Sequence, residues 1–490
     1  MTPGAVSRRR TLRAAGAAGV LALAGCAGDG DDGDGGGTEP TDGATTDREE
    51  SDAITIGVLQ DVTAANGPEF AHQGLAGLLS GLAYKDGRAT PKPLGDGPTE
   101  PEPAGVMEEL VGETLRYTVG DVGAAGDVEF ELLIRDTESD AQTAGVVAST
   151  LIVDHDVDVL YGLSSSNGLE RVNNTILDQT DVPLFVGQAS TSAVTADEAR
   201  CREQLFRATA NTAMTSRAGA FSLAEDFDVD RVAMFGAETS LGRDVLGNYG
   251  RIFDAEGIDV VVEEFVPVGQ TEWESYLTAA EEAGADVVIY GFTGQTGTYF
   301  AEEFVLGGYE MEAFGQAPSR LTFREIGKDV VGFLEQFGED EITPRIVEAI
   351  PFGPVACRYF WNQYDNAIND WLVENHTEIY GVYPDLFTSA AFTSASAIVQ
   401  AFERAGEASA EAILQEVPGM AVDATPKGEG EYVFQGYNNQ ARSPVTIAQF
   451  QPSDAEYWPA RLGPSEPTRI VDKDLTTIPA DDPEMTCDLS

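Results

Sequence analysis

Two consecutive series of short β-branched runs and helical stretches dominate the chain after residue 53. In the first series, apolar runs such as Ile54–Gln60 and Asp158–Gly162 alternate with stretches that carry apolar residues at helical spacing. Strands and helices in this alternation form a parallel sheet with helices on both faces. The second series follows Arg207 and contains the runs Arg231–Phe235 and Asp286–Tyr290. We therefore predict an α/β protein with two doubly wound lobes.

The charge balance excludes nucleic acid and anionic lipid surfaces as partners. The 490 residues include 29 Lys and Arg against 83 Asp and Glu, which gives a formal net charge of −54. A nucleic-acid binder or a polybasic membrane face needs the opposite sign. The acidic residues are spread over the whole chain, so their charges repel one another in dilute buffer. At about 1 M salt the Debye length shrinks to about 3 Å, and this repulsion is screened. We interpret the protein as halophilic, with an ordinary acidic secreted protein as the alternative.

The N-terminus predicts export and lipid anchoring. Arg8-Arg9-Arg10 followed by Thr-Leu resembles a twin-arginine signal, and the 12-residue apolar run after it is too short to span a bilayer. Leu23-Ala24-Gly25-Cys26 resembles a lipobox. Residues 1–25 are therefore expected to be a signal peptide. Residues 26–52 would then form an acidic Gly- and Asp-rich tether that starts at the lipidated Cys26, on the outer face of the cell membrane.

Histidine and cysteine usage argues against metal and redox chemistry. The three His are scattered, and no two of the four Cys form a CxxC motif. We therefore expect neither a metal nor a cofactor. Once Cys26 is lipidated, three Cys remain, so the lobes hold at most one disulfide, whose pair stays open. Asn173-Asn174-Thr175 is a glycosylation sequon that is either modified or an unmodified surface site.

Several segments together resemble one family. They are Arg135–Asp140 (RDTESD), Tyr161–Ser166 (YGLSSS), Ala189–Thr191 (AST), Leu205–Arg207 (LFR), Thr425–Gly428 (TPKG) and Asn438–Gln440 (NNQ). In this order, from about Ile54 to Gln449, the chain resembles the type I periplasmic binding proteins of ABC transporters, in the branched-chain amino acid, amide and urea group. With the charge and the lipobox, it is identified as a haloarchaeal lipoprotein of that group. The resemblance implies two lobes joined by three hinge crossings, closing on a small polar ligand.

The resemblance also implies where each lobe begins and ends. Lobe one would comprise residues 53–208 and 353–424, and lobe two residues 209–352 and 425–463. Residues 464–490 carry four Pro and few apolar residues, so we expect a C-terminal strap along the surface.

Candidate ligand contacts follow two neighbouring strands of lobe one. They are Ser164, Ser165, Ser166, Ala189, Ser190 and Thr191. Ligands of open α/β sheets bind beyond the carboxyl ends of the strands, and hydroxyls beside a helix N-terminus suit a carboxylate or carbonyl group. The alternative for each Ser or Thr is an ordinary helix cap. By the resemblance, Ser164 and Thr191 hold the ligand carboxylate.

Lobe two is expected to contribute Leu241, Phe292, Thr293 and Gln316 from the loops after its own strands. By the resemblance, amino-acid binders place a Glu near Gln316, where it pairs with the ligand ammonium. A Gln side chain cannot neutralise an ammonium, whose unpaired burial is costly. An α-amino acid ligand would therefore need Asp61 or Glu238, while amides, urea-like molecules and small carboxylates remain open.

These observations predict a non-enzymatic solute receptor. The expected partners are a small polar solute, the membrane subunits of an ABC permease, and the membrane itself through the lipid anchor. Two alternatives remain: a sensory ligand-binding receptor, which shares the lobes, and an extracellular hydrolase. The hydrolase lacks a GxSxG elbow around Ser164–Ser166 and a His placed as a base.

Overall fold

A computed structural model describes residues 53–64, 67–92, 103–227, 229–292, 295–315, 318–335, 341–349, 353–458 and 460–490. The predicted signal peptide, lipidated Cys26 and tether lie outside these ranges. The α/β class with two lobes is confirmed, because two separate sheets form from the two predicted series. None of the helices in the described part of the chain has the length and apolar character needed to cross a bilayer.

The first lobe is built on a six-stranded sheet in the order β2-β3-β1-β4-β5-β6. Its strands are β1 (Ile54–Gln60), β2 (Thr114–Val119), β3 (Val128–Asp136), β4 (Val159–Gly162), β5 (Leu184–Val186) and β6 (Leu205–Phe206). All neighbours are parallel except β2, which runs antiparallel to β3 at the edge. Because residues 88–127 contain five Pro and many Gly, their sequence predicts an insertion or surface loop. The prediction missed β2 because an edge strand exposes alternate residues and lacks a continuous apolar run.

Helices cover both faces of this sheet. They are α1 (Gly67–Lys85), α2 (Pro103–Leu110), α3 (Ala141–Val153), α4 (Ser166–Thr175) and α5 (Ala193–Ala196). Alternate strand residues enter different cores: Ile56 and Val58 pack in the cluster that contains α1, whereas Leu59 packs in the cluster that contains α3 and α4. This is the period-two pattern of a strand buried on both sides.

The second lobe has a four-stranded parallel sheet in the order β10-β9-β7-β8. Its strands are β7 (Arg231–Ala237), β8 (Asp259–Val266), β9 (Val287–Gly291) and β10 (Glu312–Gly315). Its helices are α6 (Thr212–Asp226), α7 (Ser240–Glu256), α8 (Glu274–Glu282), α9 (Gln295–Leu306), α10 (Arg320–Glu335) and α11 (Pro344–Ala349). Separate apolar clusters lie on the two faces of the sheet, so this lobe is doubly wound as well.

The chain returns to the first lobe with helices α12 (Ala367–Tyr380), α13 (Thr388–Ala405) and α14 (Ala410–Glu416). Helix α13 packs closely on α1, because glycines at positions 77 and 81 leave room for its backbone. A Cβ at Gly77 would lie 2.5 Å from the carbonyl oxygen of Thr388. Tyr432, Phe434 and Ala441 belong to the same core cluster as α1 and α13. The sequence placed the end of lobe one at residue 424, and the lobe boundaries stay a prediction.

A small antiparallel sheet lies where the chain passes between the lobes. Its order is β11-β14-β17. The late strands are β11 (Val355–Cys357), β12 (Val433–Phe434), β13 (Ala441–Arg442), β14 (Val445–Ala448), β15 (Phe450–Pro452), β16 (Leu462–Pro464) and β17 (Arg469–Val471), followed by helix α15 (Lys473–Thr476). Residues of β11, β14 and β17 form an apolar cluster with α6. The predicted C-terminal strap therefore contributes a strand to this sheet before it runs over the surface.

A disulfide fixes the end of the strap to the first lobe. Cys201 and Cys487 are bonded, with Cα atoms 5.9 Å apart, and the remaining cysteine among the described residues, Cys357, is buried and free. Burial raises the pKa of the Cys357 thiol to about 12, so this group stays protonated at neutral pH. The structure thus selects the disulfide pair that the sequence left open.

Candidate functional site

The two predicted ligand-facing loops of lobe one lie side by side. Strands β4 and β5 are adjacent, and Gly162 is the register partner of Val186. Beyond the strand ends, the amides of Gly187 and Gln188 donate to the carbonyls of Gly162 and Leu163, at 2.6 and 3.0 Å. Gly162 has a φ of 126°, and a Cβ there would lie 2.0 Å from the Leu59 carbonyl oxygen, so only glycine fits.

The three serines of the first loop are partly buried and each has a hydrogen-bond partner. Ser164 Oγ donates to Gln188 Oε1 at 3.1 Å. Ser165 is the N-cap of α4 and accepts from the Gly168 amide at 3.3 Å. Ser166 Oγ accepts from the Thr191 amide at 3.3 Å and so joins the two loops. Ser165 therefore acts as a helix cap, which was the alternative interpretation for each Ser of this loop. Ligand contact by the three serines stays a prediction.

The second loop is more deeply buried than the first. Ala189 is fully buried in the core, and Thr191 is 2% exposed. The partly buried Ser190 accepts at its carbonyl from the amide and the hydroxyl of Thr212, each at 2.8 Å. Thr212 begins α6 of lobe two, so this loop contacts the first crossing between the lobes.

The predicted residues of lobe two have separate surroundings. Leu241, in the first turn of α7, is partly buried against the core of that lobe. Phe292 is 2% exposed and packs among aromatic rings, with its ring centre 4.9 Å from that of Trp273 and 5.2 Å from that of Phe300. Thr293 and Gln316 lie outside the described residues. The ligand-binding roles of these four residues stay predictions.

A buried amide beneath the two loops was missed by sequence reasoning. Gln60, the last residue of β1, is fully buried, and neither its Nε2 nor its Oε1 has a hydrogen-bond partner among the described residues. A Cβ on Gly74 would lie 2.9 Å from Gln60 Nε2 and 2.2 Å from Gln188 Nε2. Both Gln side chains therefore pass over the bare backbone of α1. A polar residue that ends an otherwise apolar strand was the available sequence signal.

One polar link joins the lobes beside the second loop. Ser192 of lobe one donates to the Asp244 carboxylate on α7 of lobe two from its amide, at 2.9 Å, and from its hydroxyl. Burial raises the pKa of Asp244, against the lowering effect of these hydrogen bonds and of the Arg207 charge. Arg207 is fully buried and donates to Gln440, Thr195 and the Thr191 carbonyl. The loop is thus held from both lobes and from the crossing.

A second link joins the lobes near the start of α1. Arg320, the first residue of α10, forms a buried ion pair with Glu69 on α1. The amide of Arg320 donates to the Asp385 carboxylate at 2.8 Å, and Gln73 Nε2 donates to it at 3.0 Å. Burial raises the pKa of Asp385 to about 7, although the Arg320 charge opposes this effect. None of these four residues was predicted as a site residue from the sequence.

The two carboxylates proposed as substitutes for a ligand-binding Glu are otherwise engaged or remote. Asp61 is 3% exposed and accepts from the Thr137 hydroxyl, and burial raises its pKa. Glu238 is exposed. Within the described ranges, no group of three or more His, Cys, Asp or Glu is arranged to hold a metal ion.

The predicted glycosylation sequon begins at Asn173. This residue is fully buried in α4, and its Nδ2 donates to the Arg200 carbonyl at 2.6 Å. The sequence expected a surface position for Asn173, and this expectation is wrong. A buried Nδ2 leaves no room for a glycan in the folded lobe.

Comparisons with known proteins agree with this architecture. The sequence profile of a family described as periplasmic binding protein matches residues 53–456. No curated protein sequence matches the chain.

Solved structures share the fold at low sequence identity. An ABC-type branched-chain amino acid transporter protein from Rhodopseudomonas palustris is 19% identical with a TM-score of 0.63, covering 88% of this chain and 99% of its own. A solute-binding protein from R. palustris in complex with 4-hydroxybenzoate is 16% identical with a TM-score of 0.61, covering 86% and 98%. A leucine-binding protein from Thermotoga maritima is 16% identical with a TM-score of 0.60, covering 86% and 99%.

Proposed function

Because the chain belongs to the periplasmic binding protein family, we propose that it is an extracytoplasmic lipoprotein that binds a small polar solute between its lobes and delivers it to an ABC permease. It binds the solute without chemical conversion. The structural relatives include proteins described with branched-chain amino acids, leucine and 4-hydroxybenzoate. Small amino acids and carboxylates are therefore the first solutes to test.

The observation that carries this proposal is the polar layer between the lobes. The loops after β4 and β5 meet the second lobe through the Ser192–Asp244 hydrogen bonds, and the Glu69–Arg320 ion pair joins the lobes near α1. Close to Gln188 of the loop after β5, the Gln60 amide is buried and has no partner in the described part of the chain. Buried polar groups in native proteins are almost always hydrogen-bonded, so an orphan amide beside two loops supports a bound polar solute.

Export and anchoring are supported by independent features of the chain. The lipobox cysteine, Cys26, follows a twin-arginine pattern. The Cys201–Cys487 disulfide suits an oxidising compartment outside the cytoplasm. The tether would hold the lobes near the membrane, where a permease is within reach.

A ligand screen tests solute binding. The soluble form without residues 1–26 is heated in molar salt with branched-chain and polar amino acids, small carboxylates, short amides and urea. A solute at 100 times its dissociation constant should stabilise the native state by about 2.7 kcal/mol. A selective shift with the solute recovered intact supports a receptor, whereas turnover of the solute contradicts it.

A separate experiment tests the anchor. Full-length protein is expressed in a halophilic host and fractionated beside a Cys26→Ser variant. The wild type should remain with the membranes and the variant should enter the medium, because the variant has no thiol to carry lipid. Equal partition of the two proteins would reject lipid anchoring at Cys26 and would leave solute binding untouched.

A further inference from the structure

Arg358 is a buried cation at the crossing between the lobes. It follows β11 directly and is only 5% exposed. Within the described part of the chain, no hydrogen bond or ion pair of Arg358 occurs, and its Nε is buried without a partner. Burial lowers the pKa of Arg358 to about 10, so the guanidinium still carries its charge at neutral pH.

The other buried cations of this region each have hydrogen-bond partners among the described residues. Arg320 pairs with Glu69. Arg207 donates to Gln440 and is near the Asp244 charge. Lys427 donates to Ser443 Oγ at 3.1 Å and to the Pro444 carbonyl at 2.6 Å. An unpaired buried charge is among the costliest features a fold can hold, so Arg358 calls for an anion that the described residues do not supply.

The surroundings of Arg358 lead to the ligand-facing loops. Its guanidinium carbon lies 5.5 Å from the ring centre of Phe387, whose ring centre is 5.3 Å from that of Phe70. The Phe70 carbonyl accepts from Gln188 Nε2 at 2.9 Å, and Gln188 in turn accepts from Ser164. A continuous series of contacts therefore connects Arg358 to the loop after β4.

The charges near Arg358 increase its need for an anion. The positive charge of Arg358 lowers the pKa of both Arg207 and Lys427, although burial is the larger cause for each. The carboxylates of this region are already engaged: Glu69 pairs with Arg320, Asp244 accepts from Ser192, and Asp385 accepts from the Arg320 amide and Gln73. The contact with the Phe387 face favours the cation but does not neutralise it.

We propose that Arg358 binds the carboxylate of the transported solute and thereby makes small organic carboxylates the solute class. This inference rests on the proposed function. The guanidinium presents paired N–H donors that match a carboxylate in two parallel hydrogen bonds. Phe70 and Phe387 supply an apolar face for the carbon skeleton, so ring-bearing acids bind better than acetate.

The test compares matched acids and amides, which differ in charge and hardly in shape. Benzoate with benzamide, and 4-hydroxybenzoate with 4-hydroxybenzamide, are titrated into the soluble form by calorimetry in one molar-salt buffer. The variants are Arg358→Gln and, as a control, Arg404→Gln. Arg404 is an exposed arginine at the end of α13 that pairs with Glu416, and its replacement should change nothing.

The expected result is that wild type and Arg404→Gln bind the acid and not the amide. Arg358→Gln should lose about 10- to 100-fold in affinity for the acid, the range for a hydrogen-bonded charged group. Its melting temperature without solute should be unchanged or higher, since it removes an unpaired charge. If Arg358→Gln does not fold, Arg358→Lys replaces it and should lose about tenfold, because an ammonium lacks the planar fork.

Three results would overturn the inference. They are equal affinity of wild type for acid and amide, acid binding by Arg358→Gln within about threefold of wild type, and no acid binding by the wild type at all. If a neutral solute or an amino acid then bound Arg358→Gln and Arg404→Gln equally, the protein would still be a solute receptor. The residues that select its solute would then be others than Arg358. Failure of every solute in the wider screen would instead count against the proposed function.

Discussion

Removal of the Cys201–Cys487 disulfide should destabilise the protein strongly. The bond closes a sequence separation of 286 residues, which encloses the whole second lobe. In the chain-entropy description, a loop of this length restricts the unfolded state by about 5.7 kcal/mol at 25 °C. For cooperative unfolding of the roughly 440 residues after the tether, the unfolding entropy is about 0.9 kcal/mol/K. The expected fall in melting temperature is therefore about 6 °C.

The local contacts of the strap predict where the reduced protein loosens first. The amides of Thr486 and Cys487 donate to the Ala196 carbonyl, each at 2.9 Å, and the Leu489 amide donates to the Tyr437 carbonyl at 2.8 Å. Ile478 is buried beside Ala196. Few apolar contacts hold this end, so it should exchange its amide hydrogens faster once the bond is cut.

The assay is scanning calorimetry in molar salt on Cys201→Ser, Cys487→Ser and the double variant. All three should melt at the same lower temperature, because each lacks the same covalent bond, and reductant should lower only the wild type. Alkylation after unfolding should find one free thiol, Cys357, in the oxidised wild type without residues 1–26. A wild-type melting temperature that reductant leaves unchanged, although all three thiols then react, would refute the reasoning.

The remaining predictions concern the site. Gly74→Ala places a Cβ 2.2 Å from Gln188 Nε2 and should cost about 1–3 kcal/mol in urea unfolding; Gly332→Ala, with open space at the Cβ, is the control for helix propensity and should raise stability by about 0.5–1 kcal/mol. Asp244→Asn should weaken lobe closure and solute affinity by about tenfold in calorimetry, and unchanged affinity would show that this link is incidental. The pKa of Asp385 is raised to about 7 in the fold, so the native state binds the extra proton and stability should fall as pH rises from about 4 to about 7. Asp385→Asn should lack that slope in melts at several pH values, and an identical pH profile would contradict the assignment.

The lobes were predictable because their strands are buried on both faces. Runs such as Ile54–Gln60 are mostly apolar and almost fully buried, and their alternation with helical stretches leaves few topologies. The adjacency of the loops after β4 and β5 followed from the same rule, since neighbouring parallel strands end at one edge. Edge strand β2, half exposed, lacked that signal.

The polar groups between the lobes were not predictable from local sequence. Glu69 and Arg320 are 251 residues apart, and Ser192 and Asp244 belong to different lobes. Only the lobe arrangement brings each pair together. The burial of Asn173 could not be predicted for a similar reason. Its partner Arg200 lies on another segment, and a sequon contains no information about packing.

The pairing of α1 with α13 also sets the order in which this protein can be completed during synthesis. Gln73 on α1 accepts a hydrogen bond from the amide of Phe387, 314 residues later. A ribosome adds about 5–20 residues per second, so roughly 15–60 s pass between the synthesis of α1 and that of α13, which packs on its apolar face. The first lobe to leave the ribosome is thus the last to be finished. An export route that admits only folded chains would have to wait for nearly the whole sequence.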